Sequence, residues 1–320
     1  MRRILLSRLG QGATVVALVV AICFALIRLA PGDPFAVSLE QETVTPEVRD
    51  RMRALYGFDA PIPVQFVRYV GALTRGELGW SFSQSAPVAR VLADALPPTL
   101  LLMGTALLVG GLAGVALGAW QGWRGDTART RVATALSLLV LSTPEFVLAL
   151  LLVMGPALTL GLFPIGGMRD DFAPGGIMGV LDLFHHLALP ALTLALLVAA
   201  VVARHQRRAM LGVMRADFVR AARAKGVPER RVLVRHALRN ALVPVLTLGG
   251  LLFPALVSGA VLVERIFAWP GMGRVMVDAV LRRDYPLVGG AVLVSSLFVV
   301  LGTILADLAV AWADPRQRRA

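Results

Sequence analysis

Long apolar runs separated by clusters of charge set the pattern of this chain. A bilayer core of about 30 Å is crossed by about 20 apolar residues in a helix. Between the charge clusters the chain offers six runs of that kind. The first lies between Arg8 and Arg28, 19 residues without a charge. The second lies between Asp94 and Arg124. The third starts after Arg131, passes Glu145 and ends before Arg169. The fourth covers Leu183 to Ala203 and the fifth Asn240 to Val263. The sixth runs from Tyr285 to about Trp312, with Asp307 near its end. The pattern predicts an all-α membrane protein with six transmembrane helices. The first run is longer than the core of a secretory signal, roughly 7–15 residues, and no small-x-small cleavage site precedes Pro31. It reads as an uncleaved anchor.

Charge gives the orientation. The N-terminal end carries Arg2, Arg3 and Arg8, and the loop after the second run carries Arg124, Arg129 and Arg131. The loop after the fourth run has eleven basic residues from Arg204 to Arg239, against Asp217 and Glu229. The tail has Arg316, Arg318 and Arg319. These four segments hold 20 of the 32 basic residues and alternate with the other loops. Positive charge marks cytoplasmic loops, so both termini are expected in the cytoplasm. Six spans fit that parity.

Composition agrees with the membrane reading. The chain of 320 residues is 57% hydrophobic and 16% charged, where a soluble domain carries about 25% charged residues. The net charge is +12, and every basic residue but Lys225 is arginine. Nucleic-acid binding is set aside because the arginines sit beside apolar runs, where they report orientation. The single cysteine, Cys23, excludes an internal disulfide and reads as a small buried hydrophobe.

Segments 31–95, 158–185 and 264–286 are then the outer ones. The longest opens with Pro31-Gly32-Asp33-Pro34 and mixes acids with arginines. Thr45 before Pro46-Glu47 is a helix-start pattern, so a small helical lid is expected on the outer face. The organisation expected is an N-terminal end and first helix over 1–30, the outer segment 31–95, a five-helix core over 96–312, and a tail over 313–320. No internal repeat is evident.

The loop 204–239 is too patterned for a connector. Val213 to Lys225 holds helix formers and no proline, with Met214, Phe218, Ala221 and Ala222 spaced to share one face. Gly226 and then Pro228 is the usual stop order. A second helix is expected from Glu229, whose charge suits a helix N-terminus, through Val232, His236, Ala237 and Leu238 to about Asn240. Such a helix–break–helix either docks another protein, with Ala221, Ala222 and Gly226 permitting close approach, or rests on lipid headgroups. The residues alone leave both open.

The stretch Arg220-Ala221-Ala222-Arg223-Ala224-Lys225-Gly226, followed by His236-Ala237-Leu238-Arg239-Asn240-Ala241-Leu242-Val243-Pro244, resembles the cytoplasmic loop of ABC importer permeases. The resemblance is closest to the dipeptide, oligopeptide and nickel permease family. Pro31-Gly32-Asp33-Pro34, Glu264-Arg265-Ile266-Phe267, Pro270-Gly271-Met272-Gly273 and Asp284-Tyr285-Pro286 extend it over essentially the whole chain. It implies the type I importer permease fold in the cell inner membrane. It also implies a coupling helix that docks on a cytoplasmic ATP-binding subunit, with Asp217, Arg220, Ala221, Ala222, Lys225, Gly226, His236, Arg239 and Asn240 in the docking loop. The implied partners are a second, similar permease, two ATP-binding subunits or domains, an extracytoplasmic substrate-binding protein and membrane lipid. The implied cargo is a di- or oligopeptide, or a related solute such as a nickel chelate or glutathione. The loop departs from the general importer pattern at Arg220, where an acidic residue usually precedes the two alanines, and the nearest acid is Asp217.

The chain's own chemistry is sparse. A phosphate-binding loop needs Gly-Lys-Ser/Thr, and Lys225 lies between Ala224 and Gly226. The motor must therefore be another polypeptide, and no cofactor is expected. His185, His186, His205 and His236 show no metal-ligand spacing. His185 and His186 read as boundary residues, with nickel contact the lesser reading. Glu145, following Ser142-Thr143-Pro144, is an ionisable residue at membrane depth and hence a candidate for the translocation pathway. Asp307 reads as a solvated boundary residue. Ser258-Gly259 has no matching histidine, which weighs against an intramembrane protease. A secondary transporter or channel not coupled to ATP is the competing function, and a membrane-embedded enzyme the weakest.

Overall fold

The computed structural model describes residues 2–29, 60–170 and 175–313. Pro31-Gly32-Asp33-Pro34, the Thr45 helix start and the tail arginines lie outside the described residues, as do the side chains of Ser258 and Asp307.

Apart from connecting loops and one short hairpin, the described residues are helical. Its elements are α1 (Arg2–Leu29), α2 (Ile62–Thr74), β1 (Trp80–Ser81), β2 (Ala86–Pro87), α3 (Val88–Arg124), α4 (Ala128–Ser142) and α5 (Glu145–Leu152). The last runs into a π-helical stretch, Val153–Thr159. There follow α6 (Ile177–Met214), α7 (Asp217–Ala224) and α8 (Glu229–Arg231), then a second π stretch (Val232–Leu238) and α9 (Arg239–Ala241). The chain ends with α10 (Val243–Ile266), α11 (Met272–Leu281) and α12 (Tyr285–Ala313).

Among the described residues, four helices are long and apolar enough to cross a membrane: those at Arg8–Leu26, Val88–Arg124, Ile177–Met214 and Tyr285–Leu305. The pair α4 and α5 makes a fifth if counted as one span. α10 covers the fifth run expected from sequence.

Three boundaries differ from the sequence expectation. The outer segment ends earlier, because α3 starts at Val88 and carries Arg90, Asp94, Pro97 and Pro98 within it. α6 continues past Ala203 to Met214, so the loop starts eleven residues later than its charges suggest. The third run is not straight: α4 and the helix opened by Glu145 meet at 105°. Thr143 and Pro144 are both extended there, with ψ of 124° and 141°. A residue preceding proline is driven from the helical region by the ring, and the Thr143 hydroxyl closes the stump by donating to the Leu139 carbonyl at 2.8 Å.

The chain forms two compact units. One comprises Pro98–Pro270 with Leu301–Ala320, and the other Arg2–Pro97 with Gly271–Val300. In the first, α3 and α6 meet along a seam of glycines. A Cβ on Gly110 would lie 2.6 Å from the Ala195 carbonyl oxygen, one on Gly114 2.6 Å from Val202 Cβ, and one on Gly122 2.5 Å from Met210 Cβ. Gly118 continues the row against Ala203 and Gln206. Small residues every fourth position let two helix backbones approach, which is how apolar helices gain packing where lipid offers no hydrophobic drive. Beside this seam Leu102, Ala149, Leu194, Val198 and Val263 are buried together. Two polar bonds tie the ends of α3 and α10 within that unit. The Thr99 hydroxyl donates to the fully buried Glu264 carboxylate at 2.6 Å, and Trp269 Nε1 donates to the Pro98 carbonyl at 3.0 Å.

In the second unit, Asp284 is the polar centre. One carboxylate oxygen accepts from the Ser81 hydroxyl at 2.6 Å, the Ser83 hydroxyl at 2.8 Å and the Ser83 amide at 2.9 Å. The other accepts from the Leu287 amide at 3.2 Å, so one side chain caps α12 and anchors the hairpin. Val88, Leu92, Ala279, Leu287 and Ala291 are buried together in the same unit. Phe24 of α1 stacks edge-on against Phe66 of α2, with ring centroids 5.2 Å apart.

Candidate docking helix

The segment from Arg215 to Leu242 is built as one block on the end of α6. Arg215 ends α6, and Ala216 turns extended with ψ of 150°, so α7 starts afresh at Asp217. Its other end is capped by backbone bonds. The Gly226 amide donates to the Arg223 carbonyl at 2.9 Å, and the Val227 amide to the Ala222 carbonyl at 3.2 Å. This is the Schellman pattern, which requires a left-handed residue at its centre. Gly226 supplies it, with φ of +73°. A Cβ at Gly226 would meet nothing within 4 Å, so glycine is needed for its backbone and not for space.

The break at Ala216 resets which residues face inward. Val219, Ala222 and Val232 are buried together, flanked by Val213 and Val227. Phe218 and Ala221 are exposed, Phe218 to 44%. The face expected from sequence, Met214 with Phe218, Ala221 and Ala222, is therefore corrected: Met214 belongs to α6, and Ala222 seals the loop instead of lining a contact surface. The outward face of α7 carries Asp217, Phe218, Arg220 and Ala221, with Lys225 and Gly226 exposed just beyond it. Arg220 pairs with Asp217 one turn earlier on that face.

A charged clamp closes the turn. Arg223 Nη2 donates to Glu229 Oε1 at 2.6 Å and its Nε to Oε2 at 3.1 Å, a two-pronged pairing. Trp123 Nε1, near the end of α3, reaches the same carboxylate at 3.4 Å. Hydrogen bonding from Arg223 holds the Glu229 carboxyl below its ordinary value and raises the Arg223 guanidinium above its own. The second helix arises at Glu229 as expected, but through a π stretch. Ala237 and Ala241 pack there on Met210 of α6. His236 is half-buried, and its carbonyl accepts from Asn240 Nδ2 at 2.7 Å, while Arg239 and Asn240 are exposed.

The remaining candidates lie apart from this block in sequence and partnership. Glu145 opens α5 at the bend, half-buried, with Oε1 lacking a hydrogen-bond partner. His185 bonds the Leu162 carbonyl at 2.8 Å, and His186 sits 3.2 Å from Asp182. Among the described residues no three His, Cys, Asp or Glu side chains gather closely enough to hold a metal. Glu264 and Asp284, which appeared in the sequence only as parts of matching stretches, are the buried carboxylates that organise the two units. Their signal is an acid beside an apolar run with hydroxyl residues far away in the chain, which sequence spacing does not reveal.

Residues 110–319 match the family described as binding-protein-dependent transport system inner membrane component, and residues 1–103 match its N-terminal counterpart. The chain is 39% identical over 318 residues to a putative peptide permease protein of Brucella ovis, covering 99% of both. It is 39% identical to the di/tripeptide transport system permease protein DppB of Pseudomonas aeruginosa over 94% of both chains. It is 36% identical to the oligopeptide transport system permease protein AppB of Bacillus subtilis over 92% of both. The apolar helices and these matches along the whole chain place it in one family: the protein is a multi-pass inner membrane component of the binding-protein-dependent transport systems.

Proposed function

We propose that the chain is the permease subunit of an ATP-binding-cassette importer for peptides, and that α7 is the lever through which a separate ATPase moves it. The observation that carries this reading is the construction of the α7 block. One face is sealed by Val219 and Ala222, while Phe218 and Ala221 stand outward on a helix clamped to the ends of α3 and α6. A helix fixed on its inner side and unpartnered on its outer side transmits a push without deforming. The Asp217–Arg220 pair presents both signs of charge to the partner, in place of the single acid usual at this position.

In this reading six helices cross the membrane, with α10 as the fifth and both termini cytoplasmic, in the type I importer permease fold. The chain performs no bond chemistry. A second similar permease completes the pathway, two ATP-binding subunits or domains lie below, and a substrate-binding protein docks outside. Peptides are the cargo favoured by the names of the relatives, from di- and tripeptides to oligopeptides. Glu145, at the bend of the third span, lines the pathway.

The test is uptake of labelled di- and oligopeptides into proteoliposomes holding the assembled transporter and its binding protein. ATP-dependent uptake with no requirement for an ion gradient is expected. Uptake driven by an imposed gradient without ATP would make the chain a secondary transporter.

A further inference from the structure

A cavity of about 340 Å³ opens between α4 and α6 at the end of the bundle from which the α7 block projects. Arg204, Arg207 and Arg208 of α6 lie along it, opposite Thr134 of α4, with Gln121 of α3 at its side. The three arginines recur at i, i+3 and i+4, so their charges share one helix face. Among the described residues no carboxylate pairs with any of them. Arg207 Nη1 donates to the Thr134 hydroxyl at 2.9 Å, but its Nε is buried without a partner. Gln121 is 2% exposed and its Nε2 also has none. A buried donor left unmade costs about 1–3 kcal/mol. Three unneutralised cations and two unspent donors around one cavity are the outline of an anion site.

The rest of the lining selects the anion. Leu138 and Leu141 of α4 and Leu211 of α6 complete the lining, so the cavity offers apolar surface beside the charged. Arg204 is the first formal charge on α6 after Asp182, and Thr134 lies one turn beyond Arg131, where the apolar run of α4 begins. Both walls therefore reach the depth of lipid headgroups, where a phosphate meets the arginines and acyl chains continue along leucines. Inorganic phosphate would leave the leucines unused.

We propose that this cavity is a binding site for the phosphate of an anionic phospholipid, seated between α4 and α6 beside the root of the docking block. It needs only the three helices named, and holds whether or not the transported solute is a peptide.

The assembled transporter, purified in mild detergent, is offered phosphatidylglycerol and phosphatidylcholine together, and retained lipid is counted by native mass spectrometry. Wild type is expected to retain phosphatidylglycerol selectively. Joint substitution Arg204→Gln, Arg207→Gln and Arg208→Gln is expected to lower that selectivity on the order of a hundredfold. Arg207→Lys should keep most of it, and Gln121→Leu should weaken it severalfold at unchanged charge. Arg129→Gln, an exposed arginine outside the cavity, should leave it unchanged. Equal retention of both lipids by wild type overturns the proposal. So does an Arg129→Gln loss as large as that of Gln121→Leu, which would mean diffuse surface attraction. Displacement of the lipid by an equal concentration of glycerol phosphate would assign the site to a free phosphate instead. Variants are compared only where elution and helical content match wild type, and Gln121→Leu and Arg207→Lys keep the test open if the triple variant does not fold.

Discussion

At the scale of residues, the α7 block depends on one backbone angle and one ion pair. Gly226 sits at φ of +73°, and a side chain there costs about 1–2 kcal/mol, more if β-branched. Gly226→Val is expected to loosen the turn and cut ATP-driven uptake while ATP hydrolysis continues, whereas Gly226→Asn should retain most coupling. Parallel assays of uptake and hydrolysis distinguish the two. The Arg223–Glu229 pair has a defined pH dependence. Glu229 is lowered in the folded chain, first by the hydrogen bond from Arg223. Its stabilisation is therefore present above the unfolded carboxyl range, about pH 4.3, and is lost as pH falls through the lower folded value. Arg223 is raised, so its share disappears only at alkaline pH outside any working range. Both side chains are more than 40% exposed, which holds the effect to less than about 1 kcal/mol. Amide protection over residues 217–232, taken relative to the intrinsic exchange rate at each pH, should fall on acidification in wild type and stay flat in Glu229→Gln. Gly226 and Pro228 were legible in the sequence as a stop. The inward face of α7 was not, because no glycine or proline marks the break at Ala216, and the helical phase counted through it from Met214 places Ala222 on the wrong side.

At the scale of elements, close packing and bends decide the arrangement. The span positions follow from hydropathy, and four of the six expected runs fall on helices of membrane-crossing length. The 105° bend lies at the one proline-bearing polar triplet of the third run, where a counted apolar run reads as continuous. The glycines at 110, 114, 118 and 122 form a four-residue period that looks like ordinary membrane-helix composition until a partner is placed against it. A matched pair of substitutions tests the seam. Gly114→Ala puts a Cβ 2.6 Å from Val202 Cβ and 2.8 Å from the Ala199 carbonyl oxygen, whereas Gly111, three residues earlier, faces open space. Gly114→Ala is expected to destabilise by about 1–3 kcal/mol. Gly111→Ala should be neutral or gain up to about 1 kcal/mol from helix propensity. Thermal unfolding of both variants in the same detergent reads the difference. Equal midpoints would mean that α3 and α6 are not in backbone contact.

At the scale of the whole molecule, the proposed function makes the chain a moved part. Hydropathy and arginine placement gave a membrane protein and an expected orientation, and the loop around Gly226 gave the place where force is proposed to enter. Glu264 and Asp284 could not be assigned their tasks from sequence, since their partners Thr99, Ser81 and Ser83 lie 165 to 203 residues away along the chain. The family matches carry the transport role, and the geometry of α7 carries the mechanism proposed for it. That mechanism is tested most directly by photocrosslinking in the assembled transporter from Phe218, exposed on α7, and from Val219, buried beside it. A photoreactive residue at 218 is expected to capture an ATP-binding subunit, with a yield that changes between nucleotide-free and ATP-bound states, while one at 219 captures only this chain. Absence of any crosslink from 218 in a transporter that still imports its solute would contradict the account.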